Sequence, residues 1–380
     1  MQHLEPDQLR LLAERLDTLR ATHSARLGDQ DVAWIRAYVA EWSADLDEGF
    51  AQMEAAWSPW ALARGIARYT RGRIKEFFEA HNILHGQYDR FPELPELHSA
   101  RYRWESSIDE EAWKAEHNGL HHGSTNIVGK DPDLSHGWLR THPGIPWHPW
   151  HLLQVPTYAL YYLGFTYLFN AQNYGLIDSM RKRRFPGGNE GYAVVGTRVR
   201  KGRRLRDLAA YDRRLVAEFW RRKFLEPARE SSAWTLKLLL GFVLSELILN
   251  VWVAMTIQPT HQAEPKYPAG YRVSGRGEWY LRQIESARNF ALGDPELLKL
   301  YGALNYQIEH HLFPDLPAWR YPAVAGGVRE VCEELGIPYK ADAHRWQTFA
   351  RFVGVVLRHS FPSRTARSAR PAKVANAEAV

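Results

Sequence analysis

Residues 117–122 of the chain read HNGLHH, and two related stretches flank them, HNILH at 81–85 and QIEHH at 307–311. In an α-helix, side chains three or four positions apart lie on one face, about 5–6 Å from each other. Each stretch therefore presents two or three imidazoles in one direction, as a helical metal site requires. The histidines are His81, His85, His117, His121, His122, His310 and His311. Because one zinc ion takes three or four protein ligands, the set predicts two metal ions.

Residue types narrow the kind of site without choosing the metal, because imidazole suits iron, copper and zinc alike. The chain has one cysteine, Cys332. This count excludes a disulfide framework, a thiolate-rich zinc site and an iron–sulfur cluster of the chain's own.

Two long apolar segments separate the second and third histidine clusters. No Asp, Glu, Lys or Arg occurs from 152 to 177, and the stretch 234–257 carries only Lys237 and Glu246. A helix of either length crosses a bilayer core of about 30 Å. Tryptophans and tyrosines at the ends of both segments are typical of membrane interfaces. Two buried helices of a soluble protein remain the alternative reading.

The sequences around the clusters extend the pattern. HNILHGQYD (81–89), WKAEHNGLHHGSTNIVGKDPDL (113–134) and NYQIEHHLFPDLP (305–317) resemble the three histidine boxes of the membrane fatty acid desaturases. The likeness runs from about residue 60 to 339 and includes WYLRQIESARNF at 279–290. One box alone is a weak signal, but all three, in order and with an apolar interval before the last, form a specific pattern.

The resemblance implies an O2-dependent fatty acyl desaturase, which removes two hydrogens from a lipid acyl chain at a non-haem centre of two iron ions. It carries the ligand role to the seven box histidines and adds His261, which follows the second apolar segment. It also implies a fatty acyl lipid, acyl-CoA or acyl carrier protein substrate. A separate electron donor is expected, such as ferredoxin or a cytochrome with its reductase.

Further residues beside the boxes are expected to orient the imidazoles, because a metal-bound histidine usually donates its second N–H to a carboxylate or carbonyl. Gln307 stands where many third boxes begin with histidine, and we expect it to donate a hydrogen bond rather than bind metal. Carboxylate candidates are Glu79, Asp89, Glu116 and Glu309, for which an ordinary solvated charge is the alternative. Asp131 and Asp133 match a family segment, and their Asp-Pro sequence favours a turn.

The predicted fold is all-α, a membrane-embedded desaturase-like arrangement with cytoplasmic His-rich helices that form the diiron site. Residues 1–55 form an amphipathic helical region, 56–345 the catalytic domain, and 346–380 a C-terminal helix with a disordered basic tail. Asp294 with Pro295 is predicted to begin a helix that carries the third box and ends at Phe313.

The net charge of +6 is concentrated in residues 181–229. No nucleic-acid-binding motif accompanies it, so a membrane surface is the expected partner. The positive-inside rule places this interval, and the site with it, on the cytoplasmic face. If both apolar segments crossed, however, the interval would lie outside; if neither crosses, the segments are interfacial.

Two other functions fit the same residues. A lipid hydroxylase uses the same diiron scaffold, and a membrane-surface protein that binds metal or lipid without turnover is a non-catalytic alternative. His148 and His151 are predicted to be interfacial. No function is assigned to the remaining histidines, His98, His136, His142, His344 and His359.

Overall fold

The computed structural model describes residues 3–184, 189–194 and 202–362. Parts of the basic interval and the predicted disordered tail lie outside these ranges. The described residues are mostly helical, and their two strands are two residues long each. The all-α prediction is confirmed.

Three long helices open the chain: α1 (Pro6–Ser24), α2 (Asp29–Ala55) and α3 (Pro59–Leu84). Ser58 caps α3, since its Oγ accepts a hydrogen bond from the N–H of Ala61 at 3.2 Å. Helices α2 and α3 form an antiparallel hairpin in which Gly49 lies directly against the backbone of Tyr69. A side chain at Gly49 would separate the two helices. Leu12 and Leu16 bury α1 against the C-terminal part of the fold.

The middle of the chain consists of shorter helices. They are α4 (Glu110–Trp113), α5 (His122–Ser124), α6 (Gln154–Leu163), α7 (Phe165–Asn173), α8 (Leu176–Arg184), α9 (Leu205–Trp220) and α10 (Glu226–Glu230). Two π-helical segments, Lys114–His121 and Arg221–Leu225, join α4 to α5 and α9 to α10. Short 3₁₀ turns cover Pro95–Leu97, Pro132–Leu134, Pro149–Leu153 and Ala318–Arg320.

The C-terminal part begins with the long apolar helix α11 (Thr235–Ile257). It continues with α12 (Pro259–Gln262), α13 (Arg276–Ser286), α14 (Pro295–Leu300), α15 (Gln307–Leu312), α16 (Tyr321–Glu334) and α17 (Arg345–Ser360). Strands β1 (Asn289–Phe290) and β2 (Ala341–Asp342) pair in parallel.

Helices α3 and α11 run side by side in the same direction. Near their starts Gly241 faces Ile66, and further along Arg73 donates to Glu246 at 3.0 Å. Because the two helices are parallel, the histidines at the end of α3 and His261 just after α11 arrive at the same end of the molecule.

The first apolar segment differs from its prediction. Residues 152–177 do not form one helix, because α6 ends at Leu163, α7 starts at Phe165 and α8 starts at Leu176. The interruptions fall at Gly164 and Gly175, of which Gly175 has φ +82°. Within the described residues one helical stretch, Thr235–Gln262, is long and apolar enough to cross a membrane, and more than half of its most apolar window is buried in the protein.

The helix predicted to begin at Asp294 and end at Phe313 is two helices. Asp294 caps only α14, and Gly302 and Ala303 then take positive φ values of +54° and +61°. The chain turns there before α15 begins. The third box therefore lies on a separate helix of six residues.

Candidate metal centre

The structure brings all eight predicted ligand histidines into one buried cluster. The candidate ligand atoms of His81, His85, His117 and His310 lie within 4.8 Å of one another, and so do those of His121, His261 and His311. His122 groups with both His310 and His311 under the same limit. The cluster thus contains two adjacent sets of ligands, with His122 between them.

The second box owes its geometry to π-helical winding. In an α-helix, five residues at about 100° each would place His122 about 140° around the axis from His117. The segment Lys114–His121 is instead π-helical, and the N–H of His122 donates to the carbonyl of His117. This i to i+5 bond aligns the two residues. Their Nε2 atoms are 3.3 Å apart, so all three imidazoles of the box share one face.

The third box serves both sets with consecutive residues. His310 joins the first set and His311 the second, and their ring centroids are 5.4 Å apart. The two rings are nearly perpendicular, at 89°. Adjacent side chains on one short helix therefore bridge the two candidate metal positions.

His261 lies where the resemblance placed it. Its ring centroid is 4.4 Å from that of His311 and 5.0 Å from that of His121. In the loop after His261, Tyr267 pairs with the turn that follows the second box. Its N–H donates to the carbonyl of Asn126 at 2.8 Å, and its carbonyl accepts from the N–H of Val128 at 3.0 Å. These backbone bonds fix the second box against the end of α12.

Five of the imidazoles have a polar partner at Nδ1, and this leaves Nε2 for the cluster. The partners are the Asp131 carboxylate for His121 at 2.9 Å, the Ser286 carbonyl for His261 at 2.8 Å, the Gln283 amide oxygen for His311 at 3.1 Å, Asn82 Oδ1 for His81 at 3.3 Å and the Tyr321 hydroxyl for His310 at 3.4 Å. Such contacts fix the tautomer and the orientation of a ligand ring.

Of these partners, the sequence singles out only Asp131, as a turn residue. Asp131 has two roles, since its Oδ1 contacts His121 and also accepts from the N–H of Asp133 at 2.9 Å, which caps the 3₁₀ turn. Its Oδ2 accepts from the N–H of Asn126 at 2.7 Å. Asp133 lies 3.5 Å from His117 Nδ1. The sequence signal for these two residues is the segment GKDPDL, which follows shortly after the second box.

The four predicted carboxylates do not contact a box imidazole. Asp89 instead accepts from the N–H and hydroxyl of Ser99, at 2.7 and 2.6 Å, and shapes a loop. Glu309 accepts from Asn289 at 2.8 Å and Tyr339 at 2.9 Å. Glu309 precedes His310 on α15 but points to the side of Asn289 and Tyr339, whereas Asp89 lies in the turn after α3, four residues beyond His85.

Glu79 and Glu116 are also buried but act at a distance from the rings. Glu79 accepts from Tyr88 at 2.7 Å and from Asn82 at 3.4 Å, so it reaches His81 only through Asn82. Glu116 is fully buried on the π-helical segment, where one of its oxygens has no hydrogen-bond partner. Its burial, with Asp133 and Asp131 nearby, holds its pKa well above the usual range.

Gln307 lies at the edge of the second ligand set. Its Nε2 is 2.9 Å from Nε2 of His261, while its Oε1 is buried without a hydrogen-bond partner. The amide therefore faces the cluster directly rather than supporting a ring from behind.

Burial sets the charge of the cluster. It lowers the pKa of His81 to about 3, and, with the neighbouring imidazoles, it holds the pKa of His117, His122, His310 and His311 well below the usual range. For His121 burial acts in the same direction, but Asp131 and Asp133 outweigh it and raise the pKa. Most of the rings are therefore neutral, which is the form that binds metal.

The residues fit a pair of metal ions. Nε2 of His85, His310 and His311 is buried in each case and has no hydrogen-bond partner. A buried polar atom without a partner is costly, and a bound cation removes that cost. The donors are almost all imidazole nitrogens, which suits first-row transition metals such as iron.

The other histidines fall outside both ligand sets. His148 stacks on Trp150 with ring centroids 4.0 Å apart, and His151 lies beside them. His136 is buried against aromatic rings, with its Nδ1 3.3 Å from Gln172.

Comparisons with known proteins agree with the site. A family model described as fatty acid desaturase matches residues 55–343. An NADPH-dependent stearoyl-CoA 9-desaturase of Mycobacterium tuberculosis is 29% identical over 92% of this chain and 81% of its own length. An sn-1 linoleoyl-lipid 6-desaturase of Synechocystis is 25% identical over 70% of each chain. An acyl-lipid (8-3)-desaturase of Mortierella alpina is 25% identical over 71% of this chain and 58% of its own.

Proposed function

Because this chain belongs to the fatty acid desaturase family, we propose that its eight clustered histidines hold two iron ions, at which a C=C bond is introduced into a fatty acyl chain with O2 as co-substrate. The observation that carries the proposal is the convergence of three distant boxes and His261 on two adjacent ligand sets. A role in packing alone does not explain why three of these rings keep Nε2 buried and unpartnered.

The protein's own contribution is to hold and orient the ligands in a dry site. Iron, when bound, would activate O2, the oxidant needed to remove hydrogen from an unactivated methylene. Asp131 and Gln283 fix His121 and His311 by their Nδ1 atoms, and the ring of Trp113 stacks on His117 with centroids 4.5 Å apart. Exclusion of water protects a strongly oxidising site from side reactions.

The substrate is a long acyl chain attached to a carrier. The relatives support two carriers, since one acts by its name on stearoyl-CoA and another on a linoleoyl lipid. Two electrons per turnover come from a separate protein such as ferredoxin or a cytochrome with its reductase. We place the site at a membrane, facing the cytoplasm, because the basic residues of the interval 181–229 follow the positive-inside rule there.

Analysis of lipids from cells that express the chain tests the proposal. A new double bond, absent from cells expressing His310→Ala, is the expected result. A new hydroxyl group in place of the double bond points to the hydroxylase alternative. An unchanged lipid profile with iron bound to the purified protein points to a non-catalytic metal-binding protein.

Purified protein then distinguishes the carrier. Stearoyl-CoA and a stearoyl phospholipid in vesicles are offered separately, each with O2, NADPH and a ferredoxin with its reductase. Conversion of only one of them identifies the carrier. Conversion of neither, nor of stearoyl-acyl carrier protein offered in the same way, with iron bound and electrons consumed, contradicts the proposed substrate class.

A further inference from the structure

We propose that the protein rests in one leaflet of an anionic phospholipid membrane and that α11 lies in the membrane surface without crossing it. This inference concerns how the protein meets lipid and does not depend on the reaction. It rests on the distribution of exposed charged and apolar side chains around α11.

One side of α11 exposes an uncharged stripe, defined here as Leu236, Leu240, Leu244 and Ile248. These residues are 39% to 59% exposed. They are spaced four apart, so they lie along one side of the helix. Lys237, the nearest charge, turns away and donates to the carbonyls of Glu54 and Ala56 at 2.8 and 3.0 Å.

Neighbouring elements also expose apolar side chains. In α6, which packs on α11, Leu160 is 70% exposed, and no charged residue occurs between 152 and 177. At the start of α11, Trp234 is exposed, as are Trp57 in the turn between α2 and α3 and Trp60 in the first turn of α3. Tryptophan is enriched at the level of lipid headgroups.

Helices α2 and α3, which pack against α11, carry exposed charged side chains at the level of Phe242, about four residues before the midpoint of α11. Phe242 of α11 contacts Tyr69 of α3 with ring centroids 5.3 Å apart, and Tyr69 in turn meets α2 at Gly49. Beside these contacts, Arg71 pairs with Asp45 and Arg68 pairs with Glu48. The side chains of Arg71 and Glu48 are 52% and 54% exposed.

The segment from α9 to α10 is a second neighbour of α11 that carries exposed charged side chains. It packs through Phe224 on Phe242, with ring centroids 5.0 Å apart. Its outer surface carries Arg213, Arg214, Arg221 and Arg222, all exposed. Helix α11 therefore has two neighbours that carry exposed charges and that both contact it at Phe242.

These charges are incompatible with a crossing helix. Helix α11 has 23 residues, and at about 1.5 Å per residue its length roughly matches a bilayer core of about 30 Å. If it crossed, the exposed charges beside Tyr69 would lie about 6 Å from the bilayer centre and therefore within the hydrocarbon. Ionised side chains at that depth almost always face the protein interior or water.

A position in one leaflet accommodates both the apolar stripe and the exposed charged side chains. The stripe and α6 enter the lipid to the depth of an interfacial helix, while the α2–α3 face stays in water. Arginines of α9 and of the segment after it lie near the surface, where anionic headgroups attract them. All the histidine boxes then lie on one side of the membrane, because α6 and α7, with ten and nine residues, are each too short to cross it.

Two single-cysteine variants test the topology, since the native Cys332 is buried. Gln30 and Gln52 are exposed near opposite ends of α2, Gln30 at the metal-centre end and Gln52 at the far end. In cell-derived vesicles of known orientation, a membrane-impermeant maleimide is expected to label Gln30→Cys and Gln52→Cys from the same side. Labelling from opposite sides means that the α2–α3–α11 layer crosses, and this overturns the proposal.

A fluorophore on Leu240→Cys tests whether lipid lies against the stripe, with Gln30→Cys, at the other end of α2 from Trp57 and Trp60, as the matched control. In vesicles containing anionic phospholipid, the Leu240 label is expected to be quenched by lipids carrying a spin label near the headgroup, and less by lipids labelled at the chain end. The control label should be quenched by neither. Absence of lipid quenching at position 240 overturns the proposal and indicates water or a second protein copy against the stripe.

Discussion

His117 and His122 stand five residues apart on a π-helical segment, and their Nε2 atoms approach to 3.3 Å. An α-helix over the same residues would direct His122 away from His117. The local winding of the backbone therefore determines whether the second box supplies two ligands or three.

We expect His122→Ala to lose bound iron as completely as His121→Ala, because each removes one imidazole from the same face. Iron per protein, measured on folded material by atomic absorption, gives the answer. His98→Ala, a change at a histidine outside both ligand sets, is the control. Wild-type iron content in His122→Ala would contradict the shared face.

Asp131→Asn is expected to weaken iron binding by about 10–100-fold, because loss of a carboxylate behind a ligand histidine typically costs that much. Competition with a chelator of known affinity measures the change. Asp89→Asn is the matched control, since Asp89 bonds Ser99 and touches no box histidine. Equal effects of the two substitutions would rule out a specific role for Asp131.

Removal of iron should lower the thermal stability of the protein, because an ion that binds only the folded state stabilises it. Chelator-treated protein is expected to melt at a lower temperature and to recover when Fe2+ is added. In the double variant His121→Ala with His310→Ala, added Fe2+ should have no effect. An identical melting temperature with and without iron would argue against occupation of the cluster.

Arg73→Met should destabilise the fold by about 3–5 kcal/mol, the usual cost of removing one partner from a buried ion pair. Arg73 is buried between Glu76 and Glu246 and joins α3 to α11. Arg10→Met, which removes an exposed pair with Asp7, is expected to leave the melting temperature unchanged. Thermal denaturation of the two variants in the same detergent provides the comparison.

Gly277→Ala is expected to destabilise the protein by about 1–3 kcal/mol through overpacking. A Cβ at Gly277 would overlap the backbone of Leu9, so α1 would have to move away from α13. Gly354→Ala has open space around it and should be neutral or stabilising by up to about 1 kcal/mol. If both variants melt alike, the close approach of α1 is wrong.

Much of the site was predictable because metal ligation demands particular residue types. His81 and His85, four apart at a helix end, already define a face, and the order of the boxes identified the family. The orienting residues were less predictable, since Gln283 and Asp131 approach the rings from other parts of the chain. The carboxylates close to the boxes in sequence, such as Asp89 and Glu309, bond other groups.

By itself, then, the sequence determined the helical class, the histidines that form the cluster and the family, because these follow from local spacing and from the three boxes in order. Only the tertiary structure decided the π-helical winding at His117–His122, the breaks at Gly164 and Gly302, and which partners hold each ring. These features depend on packing between distant segments, such as the parallel course of α3 and α11. Local propensity contains no information about that packing.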